Sequence, residues 1–247
     1  MITSRTNGQL KKIRQLMESA KERKNQGLFV IEGSRLVGEA PSELLESVYI
    51  SESYEKSGLK VPECGNVEVV ADDVFRSLSD TVNPQGILAV VKKPESGLER
   101  VLGGGLYVIL DDIRDPGNLG TIVRTAEAAG ARVIMSETCV DIFNPKVIRS
   151  TMGTIFRVPF AICATLDAIA KLKEEGVTVC AAVLDGSVPY REAKSDGACA
   201  FIIGNEANGV SPEAAAASDL RVRIPMKGNV ESLNAAISAA ILLYSRI

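Results

Sequence analysis

The chain contains no histidine and no tryptophan. Without histidine, a Ser–His–Asp or Cys–His relay is excluded, and so is a metal site built on imidazole. Any chemistry must rest on carboxylates, lysine, arginine, tyrosine, hydroxyls or backbone dipoles. Aromatic residues are scarce at 4%, and residues 1–95 hold only Phe29, Tyr49, Tyr54 and Phe75, so base stacking is not an obvious mode of recognition there. No run approaches the roughly 18 apolar residues of a membrane span, and the opening MITSRTNGQLKKIRQ lacks the apolar stretch of a signal peptide. No membrane association is expected, and the expected location is the cytoplasm. The five cysteines (Cys64, Cys139, Cys163, Cys180, Cys199) are odd in number, widely spaced and without a C-x-x-C pair. That pattern implies reduced thiols rather than disulfides or zinc, and no metal is expected. Neither G-x-G-x-x-G nor G-x-x-x-x-G-K-[ST] occurs, which gives no support to a classical dinucleotide or P-loop site.

At 247 residues and 46% hydrophobic, the chain suffices for one large domain or two modest ones. A net charge of −3 offers no global attraction for nucleic acid. The amino-terminal end differs: Arg5, Lys11, Lys12, Arg14, Lys21, Arg23 and Lys24 face only Glu18 and Glu22. Such a basic end suits phosphates, or forms a plain solvated helix face.

Periodicity predicts a helix over 7–25, with Leu10, Ile13, Leu16 and Met17 on one face, then strands at 28–31, 48–51, 67–71 and 87–92 and short helices at 35–40 and 72–78. The stretch KKPESGLERVLGGG reads as a linker. We therefore expect a domain over 1–95, a linker over 96–104 and a second domain over 105–247. The second domain alternates apolar strands (106–110, 132–136, 178–183, 199–204, 221–225) with helices near 117–129, 145–152, 165–175, 211–217 and 232–246. Continuously apolar strands separated by helices indicate an α/β fold with a parallel sheet covered on both faces. In the last helix Leu233, Ala236, Ile237, Ala240 and Ile241 recur at helical spacing and form the expected buried face, with Ser232 as N-cap and Asn234 in the first turn.

Ligands of such sheets gather at the carboxyl ends of the strands. Three loops there are rich in polar residues and glycine: LDDIRDPGNLGTIVRTAEAAG (110–130), IIGNEANGVS (202–211) and IPMKGNVESLN (224–234). Asn118 is placed to cap the helix after the first loop, and Arg124 projects from another face of it. In the second loop, Gly204 permits close approach to the backbone and Glu206 supplies a carboxylate. Each loop alone could be pure architecture; three on one sheet edge favour a binding site.

These segments resemble the signature motifs of the SpoU (TrmH-type) RNA ribose methyltransferases of the SPOUT superfamily. The first is Asn118-Leu-Gly120-Thr-Ile-Val-Arg124-Thr125-Ala126, the second Ile203-Gly204-Asn205-Glu206 with Gly209, and the third Ile224-Pro225-Met226 with Glu231-Ser232-Leu233-Asn234. Asn144-Pro-Lys146-Val-Ile-Arg149-Ser-Thr-Met152-Gly153 is also similar to the family. FVIEGSRLV (29–37) resembles the start of an RNA-binding domain, akin to ribosomal RNA-binding proteins, often fused ahead of the catalytic one.

The resemblance implies an α/β trefoil knot, a homodimer with the site at its interface, and S-adenosylmethionine as cofactor. By position, Leu184, Gly204, Asn205, Glu206, Ile224, Met226, Ser232, Leu233 and Asn234 would hold the cofactor. Asn118, Arg124, Glu206, Ser232 and Asn234 would serve transfer to a ribose 2′-hydroxyl, Arg124 by electrostatic stabilisation and Glu206 by orienting it or accepting the proton. Arg5, Lys11, Lys12, Arg14, Arg23, Lys24, Arg35, Lys146 and Arg149 would contact RNA. The N-terminal resemblance favours ribosomal RNA of the 23S type. The alternatives are a transfer-RNA 2′-O-methyltransferase and a non-catalytic RNA-binding or assembly factor on the same fold. A small-molecule α/β enzyme would explain the sheet but not the basic N-terminus.

Overall fold

In the computed structural model, which describes residues 1–79, 81–193 and 197–247, the chain opens with a capped helix. Asn7 accepts the backbone N–H of Gln9 at 2.8 Å and starts α1 (Gly8–Glu18). Leu10, Ile13 and Leu16 form its buried face. The single helix expected over 7–25 is broken at Ser19, which is extended and caps a second helix, α2 (Ala20–Gln26), by accepting the N–H of Glu22. Arg23 explains how the break is tolerated. It is 2% exposed, and its Nη1 donates to the carbonyls of Leu16 and Met17 at 2.7 and 3.0 Å, which satisfies acceptors orphaned at the end of α1.

The chain divides into two compact units, Met1–Glu95 with Phe143–Phe156, and Ser96–Ile142 with Arg157–Ile247. The first unit continues with β1 (Leu28–Glu32), α3 (Ser34–Glu39), β2 (Leu45–Ser51), α4 (Glu52–Lys56), β3 (Val67–Val70), α5 (Asp72–Arg76) and β4 (Ile87–Lys92). Its sheet runs in the order β1-β4-β2-β3, with β4 antiparallel to both neighbours and β2 parallel to β3. Leu10, Ile13 and Leu16 pack with Val30, Tyr49, Phe75, Leu88 and Val90 on one face. Phe29 is also fully buried, its ring 4.9 Å from that of Phe143 and 6.3 Å from that of Phe156.

The second unit holds β5 (Leu106–Asp111), α6 (Pro116–Ala128) and β6 (Arg132–Met135). After β6 the chain contributes α7 (Pro145–Thr151) to the first unit, then continues with β7 (Phe160–Ile162), α8 (Thr165–Glu174), β8 (Thr178–Ala182), β9 (Val188–Pro189), β10 (Cys199–Gly204), α9 (Pro212–Ala217), β11 (Leu220–Arg223) and α10 (Ala235–Tyr244). Every pairing in the sheet β7-β6-β5-β10-β8-β11-β9 is parallel, as the unbroken apolar strands require. Tyr107, Ile109, Ile134, Val179 and Ile202 are buried in its core. The glycine-rich stretch 96–104 is not a free tether. It forms a 3-10 turn over Leu98–Val101 whose Val101 is fully buried, and the Ser96 carbonyl accepts from Ile162 N–H at 3.0 Å.

The last helix departs from expectation in two ways. It starts at Ala235 with Asn234 as N-cap, and Ser232 is exposed and caps nothing. Its buried residues are Ala235, Ala236, Ala239, Leu242 and Leu243, whereas Ile237 is 51% exposed. The helix is apolar all round, so spacing could not select the inward face.

Candidate active site

Side chains from the loops after β5, β10 and β11 meet at the carboxyl edge of the parallel sheet. Asp115, not Asn118, caps α6: its Oδ1 accepts the N–H of Asn118 at 2.8 Å, and Pro116 at the first helical position needs no partner. The Asn118 side chain is thereby available as a bridge. Its Nδ2 donates to Glu206 Oε1 at 2.9 Å, and its Oδ1 accepts from Asn234 Nδ2 at 2.8 Å. Asn234 Oδ1 accepts from the N–H groups of Ala236 and Ile237 at 2.9 and 3.3 Å. A carboxylate at one end and backbone donors at the other orient both amides without ambiguity. The line Glu206–Asn118–Asn234 thus ties together one residue from each loop.

Glu206 also accepts the backbone N–H groups of Arg114 and Asp115, each at 3.2 Å. Partial burial disfavours its anion, but the Asn118 amide and the backbone N–H groups of Glu206 itself, Arg114 and Asp115 outweigh that and hold its pKa below the usual 4.5. It is an anion at neutral pH and a weak base.

Asn205 is committed to the loop itself. Its Nδ2 donates to the Asp112 carbonyl at 2.9 Å and to Asp112 Oδ2 at 3.2 Å, while its Oδ1 accepts from Ala207 and Asn208 N–H. Asp112 has the left-handed φ of 64°, which asparagine and aspartate tolerate best among residues with a side chain. Asp111, 8% exposed, accepts from Thr165 Oγ1 at 3.0 Å and from Ser211 N–H at 2.8 Å. Sequence reasoning passed over Asp111, Asp112 and Asp115. The signal was present in the DDIRD run, but three acidic residues in a loop do not announce which is cap, clamp or anchor.

Arg124 lies on an exposed face of α6 and makes no hydrogen bond or ion pair with a described residue. Uncovered apolar side chains flank the same edge: Leu184 is 56% and Val230 61% exposed, with Ile224, Met226 and Leu233 half-buried. The segment between β11 and α10 carries no regular structure, so its backbone donors and acceptors are open to a ligand.

The basic residues separate into groups. Arg5 pairs with Asp73 at 3.4 Å, Arg14 donates to the Arg5 carbonyl at 2.8 Å, and Arg23 is the buried cap described above. Arg23 is thus turned inward to its own fold, whereas Arg5 and Arg14 keep solvent-accessible side chains. Lys11, Lys12, Lys24 and Lys146 are exposed. Arg35 and Arg149 line one cleft of about 280 Å³ in the first unit. Among the described residues no helix is long and apolar enough to cross a membrane.

Similarity to known proteins falls on two successive stretches of the chain. Residues 105–244 match the SpoU rRNA Methylase family, and residues 7–89 match the MRM3-like substrate binding domain. The chain is 36% identical over 233 residues to the 23S rRNA (guanosine(2553)-2′-O)-methyltransferase RlmP of Bacillus subtilis, covering 92% of each chain. It is 30% identical to the mitochondrial rRNA methyltransferase 3A of Danio rerio, covering 95% of this chain and 67% of that one. The crystal structure of the AdoMet-bound rRNA methyltransferase from Sinorhizobium meliloti superposes with a TM-score of 0.87 at 34% identity, covering 98% of this chain and 95% of that one. The chain belongs to the SpoU rRNA methylase family.

Proposed function

We propose that the protein transfers a methyl group from S-adenosylmethionine to a ribose 2′-hydroxyl of 23S-type ribosomal RNA in the cytoplasm, residues 1–95 serving as substrate-binding domain and 105–247 as transferase. The observation that carries this reading is the hydrogen-bonded line Glu206–Asn118–Asn234, with Arg124 on an exposed face of the same helix as Asn118 and unpaired among the described residues. The donor set suits the cofactor. Exposed Leu184 and half-buried Ile224, Met226 and Leu233 offer apolar surface for an adenine, and the irregular 224–234 backbone offers polar groups for a ribose and a carboxylate. Gly204, Asn205 and Ser232 belong to the same edge, Asn205 by shaping the loop. When bound, S-adenosylmethionine supplies a methyl already activated on a sulfonium.

The chain's task is then alignment and charge stabilisation. Arg124 acts as a positive charge and a fork of N–H donors, not as a base. It stabilises negative charge developing on the 2′-oxygen or grips the neighbouring phosphate. Glu206, held as an anion by its donors, orients Asn118 and is poorly suited to taking the proton. The terminal segment is proposed to thread a knot, since the chain passes outward to β11 and then returns to place α10 against α6, β10 and β5. A homodimer is supported by the apolar residues that α10 leaves uncovered, Ile237 at 51% and Tyr244 at 53%, with Arg124 acting within the partner's site.

The test is titration with S-adenosylmethionine followed by labelled-methyl transfer to unmodified ribosomal and transfer RNA. Transfer to ribosomal RNA, lost in Arg124→Ala while cofactor affinity stays, is the expected result. Transfer to transfer RNA alone, or cofactor binding unmatched by any transfer, would reject the substrate or the activity respectively.

A further inference from the structure

We infer that the cleft in the first compact unit holds one extruded nucleotide of the substrate RNA, its base inside and its phosphate at the rim. This rests on the proposed action on RNA and adds a capture subsite to it. The cleft measures about 280 Å³ and is lined by Glu32, Arg35, Asn83, Gln85, Arg149 and Met152 among others. That volume sits at the lower end for ligand clefts. It accommodates a single ring system and excludes a duplex.

The lining chemistry is that of a base edge. Gln85 Oε1 accepts from both the N–H and the hydroxyl of Ser34, at 2.8 and 3.0 Å, so its amide is fixed with the Nε2 donors left to offer. Asn83 is exposed and engages no described residue, leaving a donor and an acceptor together. Glu32 Oε1 accepts from the Ser79 hydroxyl and from Thr81 Oγ1 at 2.9 Å, which fixes the carboxylate at the cleft wall. A phosphate inside would face that carboxylate, whereas a base presents donors to it. Arg35, ion-paired with Glu39 at 3.2 Å, and Arg149 bring positive charge to the rim for the phosphate, and the 41% exposed Met152 supplies apolar surface that the aromatic-poor lining lacks. Unstacked bases in RNA loops are held by edge hydrogen bonds together with side chains packed on their faces. The cleft also accounts for Arg149, which sequence alone grouped with the transferase: α7 carries it into the first unit, to the cleft that also holds Arg35.

The experiment uses the full chain, with fluorescence anisotropy on a labelled, unstructured, mixed-sequence RNA roughly ten nucleotides long, a length within single-stranded site sizes. Methyl transfer to unmodified ribosomal RNA is measured alongside. Asn83→Ala removes edge contacts, and Asn83→Trp fills the cleft; Asn83 is exposed, and thermal midpoints with cofactor titration verify folding. We expect each variant to weaken RNA binding about tenfold and to raise KM for ribosomal RNA, the loss appearing in KM rather than kcat. Affinity and KM within twofold of wild type in both variants, with transfer intact, would overturn the cleft and leave the methyl-transfer reading standing. A wild-type chain that neither binds nor methylates RNA would overturn both. If free AMP or GMP displaced the RNA at equimolar concentration, the cleft would be a mononucleotide site and the capture role would fall.

Discussion

Gly204 is held to glycine by the backbone of its own loop. A Cβ there would stand 2.0 Å from the Gly209 carbonyl carbon and 2.1 Å from the Val210 nitrogen, because Asn205 and Gly209 exchange backbone hydrogen bonds at 3.0 and 2.9 Å and close the loop tightly. Gly204→Ala should therefore destabilise the protein by at least about 2 kcal/mol in urea unfolding; an unchanged midpoint would mean the loop opens freely. Glu206 carries a different signature. Its folded-state pKa lies below the usual 4.5, so its anion stabilises the fold above the unfolded value, and that contribution disappears as pH falls through the lowered folded value. The stability gap between wild type and Glu206→Gln should be constant near neutrality and shrink on acidification below about pH 4.5. A gap that widened on acidification would reverse the assignment.

At the scale of an element, α10 shows how one residue serves both fold and site. Asn234 caps the helix with its oxygen and reaches Asn118 with its nitrogen. The two duties separate by substitution. Asn234→Ala should cost about 1 kcal/mol and expose the amides of Ala236 and Ile237 to hydrogen exchange. Asn234→Asp keeps an acceptor for the cap but cannot donate to Asn118, so it should hold stability while methyl transfer falls. Equal activity in the aspartate variant would show that the Asn118 bond is dispensable. The same helix marks a limit of pattern reading: with apolar residues on every side, Ile237 and Ala239 were equally eligible for burial, and only packing on α6, β10 and β5 chose Ala239. The break at Ser19 was hidden for a related reason, since the carbonyls it orphans are met by Arg23, a residue that reads as surface charge in any linear pattern.

For the whole molecule, the uncovered Ile237 and Tyr244 give the dimer proposal its test. Ile237→Glu should shift the protein to monomer in light scattering and abolish transfer if Arg124 completes the partner's site; a monomer with full activity would remove the interface from the mechanism. A charge at such an exposed position costs little in the folded chain itself, so loss of assembly and loss of folding are separable by thermal midpoint.

The strands of the parallel sheet and the three polar loops at its edge were legible from local patterns, because unbroken apolar runs and glycine-rich turns are properties of adjacent residues. The family motifs likewise named Asn118, Glu206 and Asn234 as one group. What the tertiary structure decided was their arrangement: Glu206 and Asn234 stand 88 and 116 residues from Asn118, and only the crossover connections bring them within hydrogen-bond reach. It also moved capping from Asn118 and Ser232 to Asp115 and Asn234, and it drew α7 out of the transferase sequence into the first unit. Periodicity specifies which face of an element is apolar. Which neighbour covers that face is set by long-range packing, and no short window of sequence contains it.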